Sequence, residues 1–168
     1  RARHYMIFGY WGPFGHAGDD RQIVQVNDLV HTFDWTSVRK NEAYPVFTNA
    51  SSDNPIPWPE HYKDVKDKKA GQVNAFFRWK NLTDTKDRFE ISLFLLTPET
   101  LKTFFTIPPE STADVTLRRI QKFESAPGKT INWSFGKTSG KATADQYGKF
   151  TIEKLTVTGK PETLSLTQ

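Results

Sequence analysis

The chain has 168 residues, a formal net charge of +4 and no cysteine; 36% of it is apolar and 14% aromatic. That length holds one domain, or one domain with part of another, and suffices to bury a core. It excludes a disulfide framework, a thiolate nucleophile and every cysteine-containing zinc site, and no stretch reaches the ~18 apolar residues of a membrane-spanning helix.

The basic excess does not point to nucleic acid. Its densest run, Lys63 to Lys69, alternates with Asp64 and Asp67, and such alternation marks a solvated loop rather than a single-sign binding stripe. The chain opens Arg1-Ala2-Arg3-His4 without an initiating Met, which reads as a fragment or a processed product.

In chain order, the first feature is the apolar run Tyr5-Met6-Ile7-Phe8, a strand ending at Gly9, followed by YWGPFGHAGDD over residues 10–20. Residues 49–71 form a connector, because Pro55, Pro57 and Pro59 forbid helix and interior strand there. From Val73 the period becomes two: Val73, Ala75, Phe77 and Trp79 alternate with Asn74, Phe76, Arg78 and Lys80, a strand with one buried face. Turn chemistry over Asn81–Asp87 then joins it to a strand carrying Phe89, Ile91, Leu93 and Leu95, an antiparallel hairpin with a long loop. Phe94 and Leu96 on the other face imply that this strand's end is covered on both sides.

Residues 98–112 read as a short helix or irregular crossing. Beyond them come a strand over Asp114–Phe123, a turn at Ala126–Lys129, a strand over Thr130–Phe135 and a loop at Gly136–Gly140. Short strands follow at Phe150–Ile152, Leu155–Val157 and Leu164–Leu166. Strands at this spacing, separated by Gly and Pro turns, predict an all-β antiparallel β-sandwich, jelly-roll-like, over residues 71–168. Residues 1–70 are then an irregular N-terminal extension with its Pro-rich connector.

The site-like residues cluster near the start. A strand ending in a Gly/Pro turn can present His16 as a proton acceptor near neutral pH, with Asp19 and Asp20 orienting it or acting as separate ligands. Three readings of His16 stay open: a polar turn residue, a catalytic base, or a metal ligand with Asp19, Asp20 and either His4 or His31. No recognised ligand spacing selects a metal, although an oxygen-rich loop of this kind can hold calcium. Otherwise no cofactor is implied.

Aromatic faces stack on sugar rings, so Tyr10, Trp11, Trp35 and Trp58, which stand outside the alternating strands, are candidate ligand-binding residues with a polysaccharide as partner. Trp79 and Trp133 fall in strand patterns and belong to the core. Arg118 reads as an outer-face residue. Asn49-Ala-Ser51, Asn81-Leu-Thr83 and Asn132-Trp-Ser134 match the N-glycosylation sequon. Asp114 and Asp145 read as turn residues.

The stretch His4-Tyr-Met-Ile-Phe-Gly-Tyr-Trp-Gly-Pro-Phe-Gly-His16 resembles the last-strand-to-histidine segment of secreted α/β-hydrolases of the cocaine-esterase and X-prolyl-dipeptidyl-peptidase kind. The resemblance implies that His16 is a triad base and that the chain continues into a C-terminal jelly-roll domain. A hydrolase of that fold also needs a G-x-S-x-G elbow. None exists here, since Gly136-Lys-Thr-Ser139-Gly140 has the wrong spacing; if His16 is a triad base, the resemblance implies that the nucleophile and acid come from an upstream catalytic domain. The expectation is an accessory or C-terminal module of a secreted or cell-envelope hydrolase, supporting an active site or binding a glycan. The alternatives are a free-standing extracellular carbohydrate-binding or structural protein, and a metal-dependent enzyme using His16, Asp19 and Asp20.

Overall fold

A computed structural model describes residues 41–51, 76–100 and 107–168. They contain eight strands and no helix: β1 Tyr44–Thr48, β2 Phe77–Asp84, β3 Arg88–Leu95, β4 Glu110–Arg118, β5 Thr130–Phe135, β6 Thr138–Thr143, β7 Thr151–Thr158 and β8 Glu162–Thr167. Two antiparallel sheets result, one in the order β1-β4-β7 and the other in the order β2-β3-β8-β5-β6. The all-β sandwich expected from the strand spacing is the observed fold.

The inner faces follow from the period of two. On the three-stranded sheet Phe47, Ala113, Val115, Leu117, Ile152, Leu155 and Val157 point inward. On the five-stranded sheet Phe77, Phe89, Ile91, Leu93, Leu95, Ile131, Phe135, Leu164 and Leu166 meet them in one continuous core. Phe47 stacks on Phe77 across the two sheets, with ring centroids 4.6 Å apart. Phe123 and Phe150 close one end of the core with an edge-to-face contact at 6.1 Å. Each large side chain removed from water this way contributes about 1.5–3 kcal/mol.

Strand β1 lies within the segment 1–70, which the sequence pattern left without a strand at this point. Its five residues pair with β4 from Tyr44↔Arg118 to Thr48↔Asp114. A strand this short offers too few alternations to stand out, and Pro45 masks it further; proline is tolerated because β1 is at the sheet edge.

Other boundaries move for local reasons. β2 runs on through Asn81–Asp84, where a turn was expected, because a bulge between Lys80 and Thr83, with Asn81 at φ 54°, absorbs the irregularity. The hairpin loop therefore shortens to Thr85-Lys86-Asp87, closed by the Thr85 amide donating to the Arg88 carbonyl at 2.9 Å. Gly136-Lys137 is a two-residue turn rather than a five-residue loop, with Gly136 at φ 58° in the first central position and Phe135 paired with Thr138. β4 starts at Glu110 and stops at Arg118, as Arg119 turns left-handed at φ 60°. The two short strands expected near 150 and 155 are one, β7, bent where Lys154 adopts φ 53°.

The far end of the five-stranded sheet is covered on both faces, as the apolar residues at the end of β3 implied. Leu96 is buried and Phe94 half-buried, and Phe76 and Arg78, which the alternation put on the outer face, are buried too.

Candidate functional site

His16, Asp19, Asp20, Tyr10, Trp11, Trp35 and Trp58 lie outside the described residues, as do His4 and His31. Among the described residues no group of His, Asp or Glu could hold a metal ion. Trp79 and Trp133 are partly buried against the core, as their strand positions predicted, and Arg118 is exposed.

The polar chemistry of the described part is organised around three aspartates that hold the backbone. Asp84, at the end of β2, accepts three consecutive backbone N–H groups: Gln121 at 2.6 Å, Lys122 at 3.2 Å and Phe123 at 2.8 Å. This latch ties the β2–β3 hairpin to the β4–β5 connection and seats Phe123 in the core. Successive N–H groups wrapped on one carboxylate form an anion nest already filled from within the chain.

Asp114 joins all three strands of its sheet. It accepts the Asn49 side-chain amide at 2.6 Å and the Lys154 backbone N–H at 2.9 Å. Both donors come from left-handed residues, Asn49 at φ 50° and Lys154 at φ 53°. The Asn49 amide first, and then the Lys154 N–H, hold the Asp114 carboxyl below the ordinary carboxylate range. Asp114 sits inside β4, which corrects its reading as a turn residue: a bulge between Ala113 and Val115 gives the interior position its turn-like look.

Asp145 is a turn residue, as expected, and organises the β6–β7 connection. Its Oδ1 accepts the N–H groups of Tyr147 at 2.8 Å and Lys149 at 2.9 Å. Its backbone N–H donates to Lys149 O at 3.0 Å and its carbonyl accepts from Gly148 N at 2.9 Å. The Lys149 N–H is the main cause that lowers the Asp145 pKa. Gly148, at φ 71°, lies so close to the Ser125 carbonyl that a Cβ there would stand 2.1 Å from the oxygen. Tyr147 projects from this clamped turn, 71% exposed, with Lys149 Nζ 4.8 Å from its ring centroid. It is the one large apolar side chain exposed among the described residues, so no cluster of exposed aromatics forms there. The signal for this turn was present as Asp145-Gln-Tyr-Gly148, an aspartate followed three residues later by glycine, which is turn chemistry and carries no label of function.

Arg78 is buried on the outer face of β2, and burial brings its pKa down to about 10. Its Nη1 donates to the Phe77 carbonyl at 2.8 Å. Elsewhere the outer faces are hydroxyl-rich, with Ser92 beside Thr163, Thr130 beside Thr143 and Thr116 beside Thr151 at 3.3, 2.9 and 2.8 Å. No helix of the described residues is long and apolar enough to cross a membrane.

No family model, curated protein or solved structure matches the chain.

Proposed function

We propose that this chain is an accessory β-sandwich module of a secreted hydrolase, which holds a glycan or related polymer and is not catalytic alone. The observation that carries the reading is the division of labour on the sandwich. Asp84, Asp114 and Asp145 are engaged with the chain's own N–H groups, while an aromatic ring is held out in water on a clamped connection between strands. Connections between the strands of a rigid sandwich are the usual place for recognition. The resemblance of His4–His16 to the triad-histidine segment of secreted α/β-hydrolases supports the link to hydrolysis, with serine and acid supplied from an upstream catalytic domain. Tyr10, Trp11, Trp35 and Trp58 are the further stacking candidates, and His16, with Asp19 and Asp20, the contribution to an active site.

Affinity electrophoresis through gels containing soluble polysaccharides, with tryptophan fluorescence titrations, tests the binding half of the reading. Retardation by at least one polysaccharide, and a fluorescence change reduced by Trp58→Ala, is the expected result. Mobility unaffected by every polymer sinks it. Hydrolysis of aryl ester or X-prolyl substrates by the chain alone, abolished by His16→Ala, would overturn the statement that it is not catalytic alone.

A further inference from the structure

We infer that the β6–β7 turn is a binding spot for an acidic polysaccharide, one whose sugar rings carry carboxylates, with Tyr147 as the stacking platform and Lys149 as the anion partner. The inference rests on the glycan-binding reading and names the class of polymer.

Four hydrogen bonds, two of them onto the Asp145 carboxylate, fix a turn of only five residues. Gly148 packs against the Ser125 carbonyl with no space for a side chain, and Phe150 immediately follows, fully buried against Phe123. The turn is thus anchored to the core and to the β4–β5 connection. Yet what it fixes in place is a tyrosine ring left 71% exposed. Gly148 and Phe150 account for the order of the turn, but not for the Tyr147 ring, which is kept in water and gains nothing from burial. Pre-ordering an aromatic lowers the entropy lost when a ligand stacks on it.

The class of ligand follows from the neighbours. The Lys149 ammonium lies over one face of the ring, 4.8 Å from its centroid, so a ligand stacks on the opposite face and meets the positive charge across the ring edge. The carboxylate of the turn, Asp145, stays ionised, with its Oδ1 turned onto the N–H groups of Tyr147 and Lys149. A neutral sugar would use the free face of the ring and leave the ammonium on its cation-π contact. A uronic acid residue uses both, its C–H face on the free face of Tyr147 and its carboxylate drawing the Lys149 ammonium off the ring. The net charge of +4 favours approach of a polyanion.

The probes are polygalacturonate and, as the neutral control, soluble β-glucan, in affinity electrophoresis and calorimetric titration. Tyr147→Ala should weaken polygalacturonate binding about fivefold or more, Tyr147→Phe should retain it, and all variants should melt with the wild type because the side chain is exposed. Lys149→Ala should weaken binding about twofold or more beyond Lys137→Ala, which removes the same charge from the exposed β5–β6 turn. Equal losses for the two lysine variants, or full binding by Tyr147→Ala, overturn the inference. Binding of β-glucan alone overturns it while leaving the glycan-binding reading standing. No binding to either polymer overturns it, and no binding to any polysaccharide removes the parent reading as well.

Discussion

Replacing Asp84 by Ala removes the acceptor of three backbone N–H groups at once. A hydrogen bond to a charged partner contributes about 1.5–3 kcal/mol when sheltered, and less when water replaces it. The bonds from Gln121 and Lys122 are exposed, and are counted at about 0.5 kcal/mol each; the one from Phe123 is part-buried and is counted at about 1.5. The sum, about 2.5 kcal/mol, corresponds to a fall in melting temperature of roughly 5–10 °C for a chain of this size. Phe123 is 3% exposed, so the damage reaches the core through its contact with Phe150. Urea unfolding followed by tryptophan fluorescence measures the loss, and amide exchange at 121–123 localises it. Asp84→Asn separates charge from shape: its amide oxygen can accept from Lys122 and Phe123, but its NH₂ then faces the Gln121 donor. It should fall between wild type and Asp84→Ala. If Asp84→Ala unfolds within about 0.5 kcal/mol of wild type, with Phe123 exchange unchanged, the latch has no energetic meaning and the reasoning fails.

Gly148→Ala should cost about 3 kcal/mol or more, from a left-handed backbone and a Cβ 2.1 Å from the Ser125 oxygen; a loss below about 1 kcal/mol in urea would show that the turn yields easily. Phe89→Ala and Leu164→Ala, both at fully buried positions, should cost about 3–5 and 2–5 kcal/mol by the same measurement, and near-neutral values would contradict the core assignment. Asp114 has a folded pKa below its unfolded value near 3.8, so its contribution is complete above that value and is lost as pH falls through the folded one. Asp114→Asn should therefore flatten the acid limb of stability below about pH 4, by under 1 kcal/mol because the group is largely solvated; an unchanged limb refutes the link. Asp145→Ala should speed amide exchange at Tyr147 and Lys149 and leave Phe150 protected, whereas unchanged exchange would mean that the carboxylate does not hold the turn.

The strands that were legible are those where one face is apolar for several alternations. Phe89-Ile91-Leu93-Leu95 and Ile131-Phe135 announce themselves because each second side chain is removed from water. What misled was local chemistry that turns and bulged strands share. Asn81, Asp84, Asp114 and Lys154 are residues that favour or accept turns, and the structure uses them inside strands, where left-handed residues and a captured carboxylate bend the ladder without ending it. Sequence alone cannot separate the two, because the deciding bond is long-range: Asp84 finds its donors near residue 122, and Asp114 finds Asn49 across 65 positions.

The candidate site at residues 10–20 is built from the same residue types. The eye is drawn to His16, Asp19 and Asp20 because a histidine beside carboxylates looks like chemistry, yet the described aspartates show how readily a carboxylate beside glycine or asparagine becomes an instrument of backbone order. Asp145-Gln-Tyr-Gly148 carries the same kind of composition as Gly15-His-Ala-Gly-Asp-Asp20. What separates a recognition element from a turn is the group the turn holds in water. In the β6–β7 turn one carboxylate oxygen holds the backbone and the ring is displayed, so function there is to be sought first in Tyr147 and Lys149. By that criterion the segment 10–20 is to be tested through Tyr10, Trp11 and His16 as much as through its two aspartates.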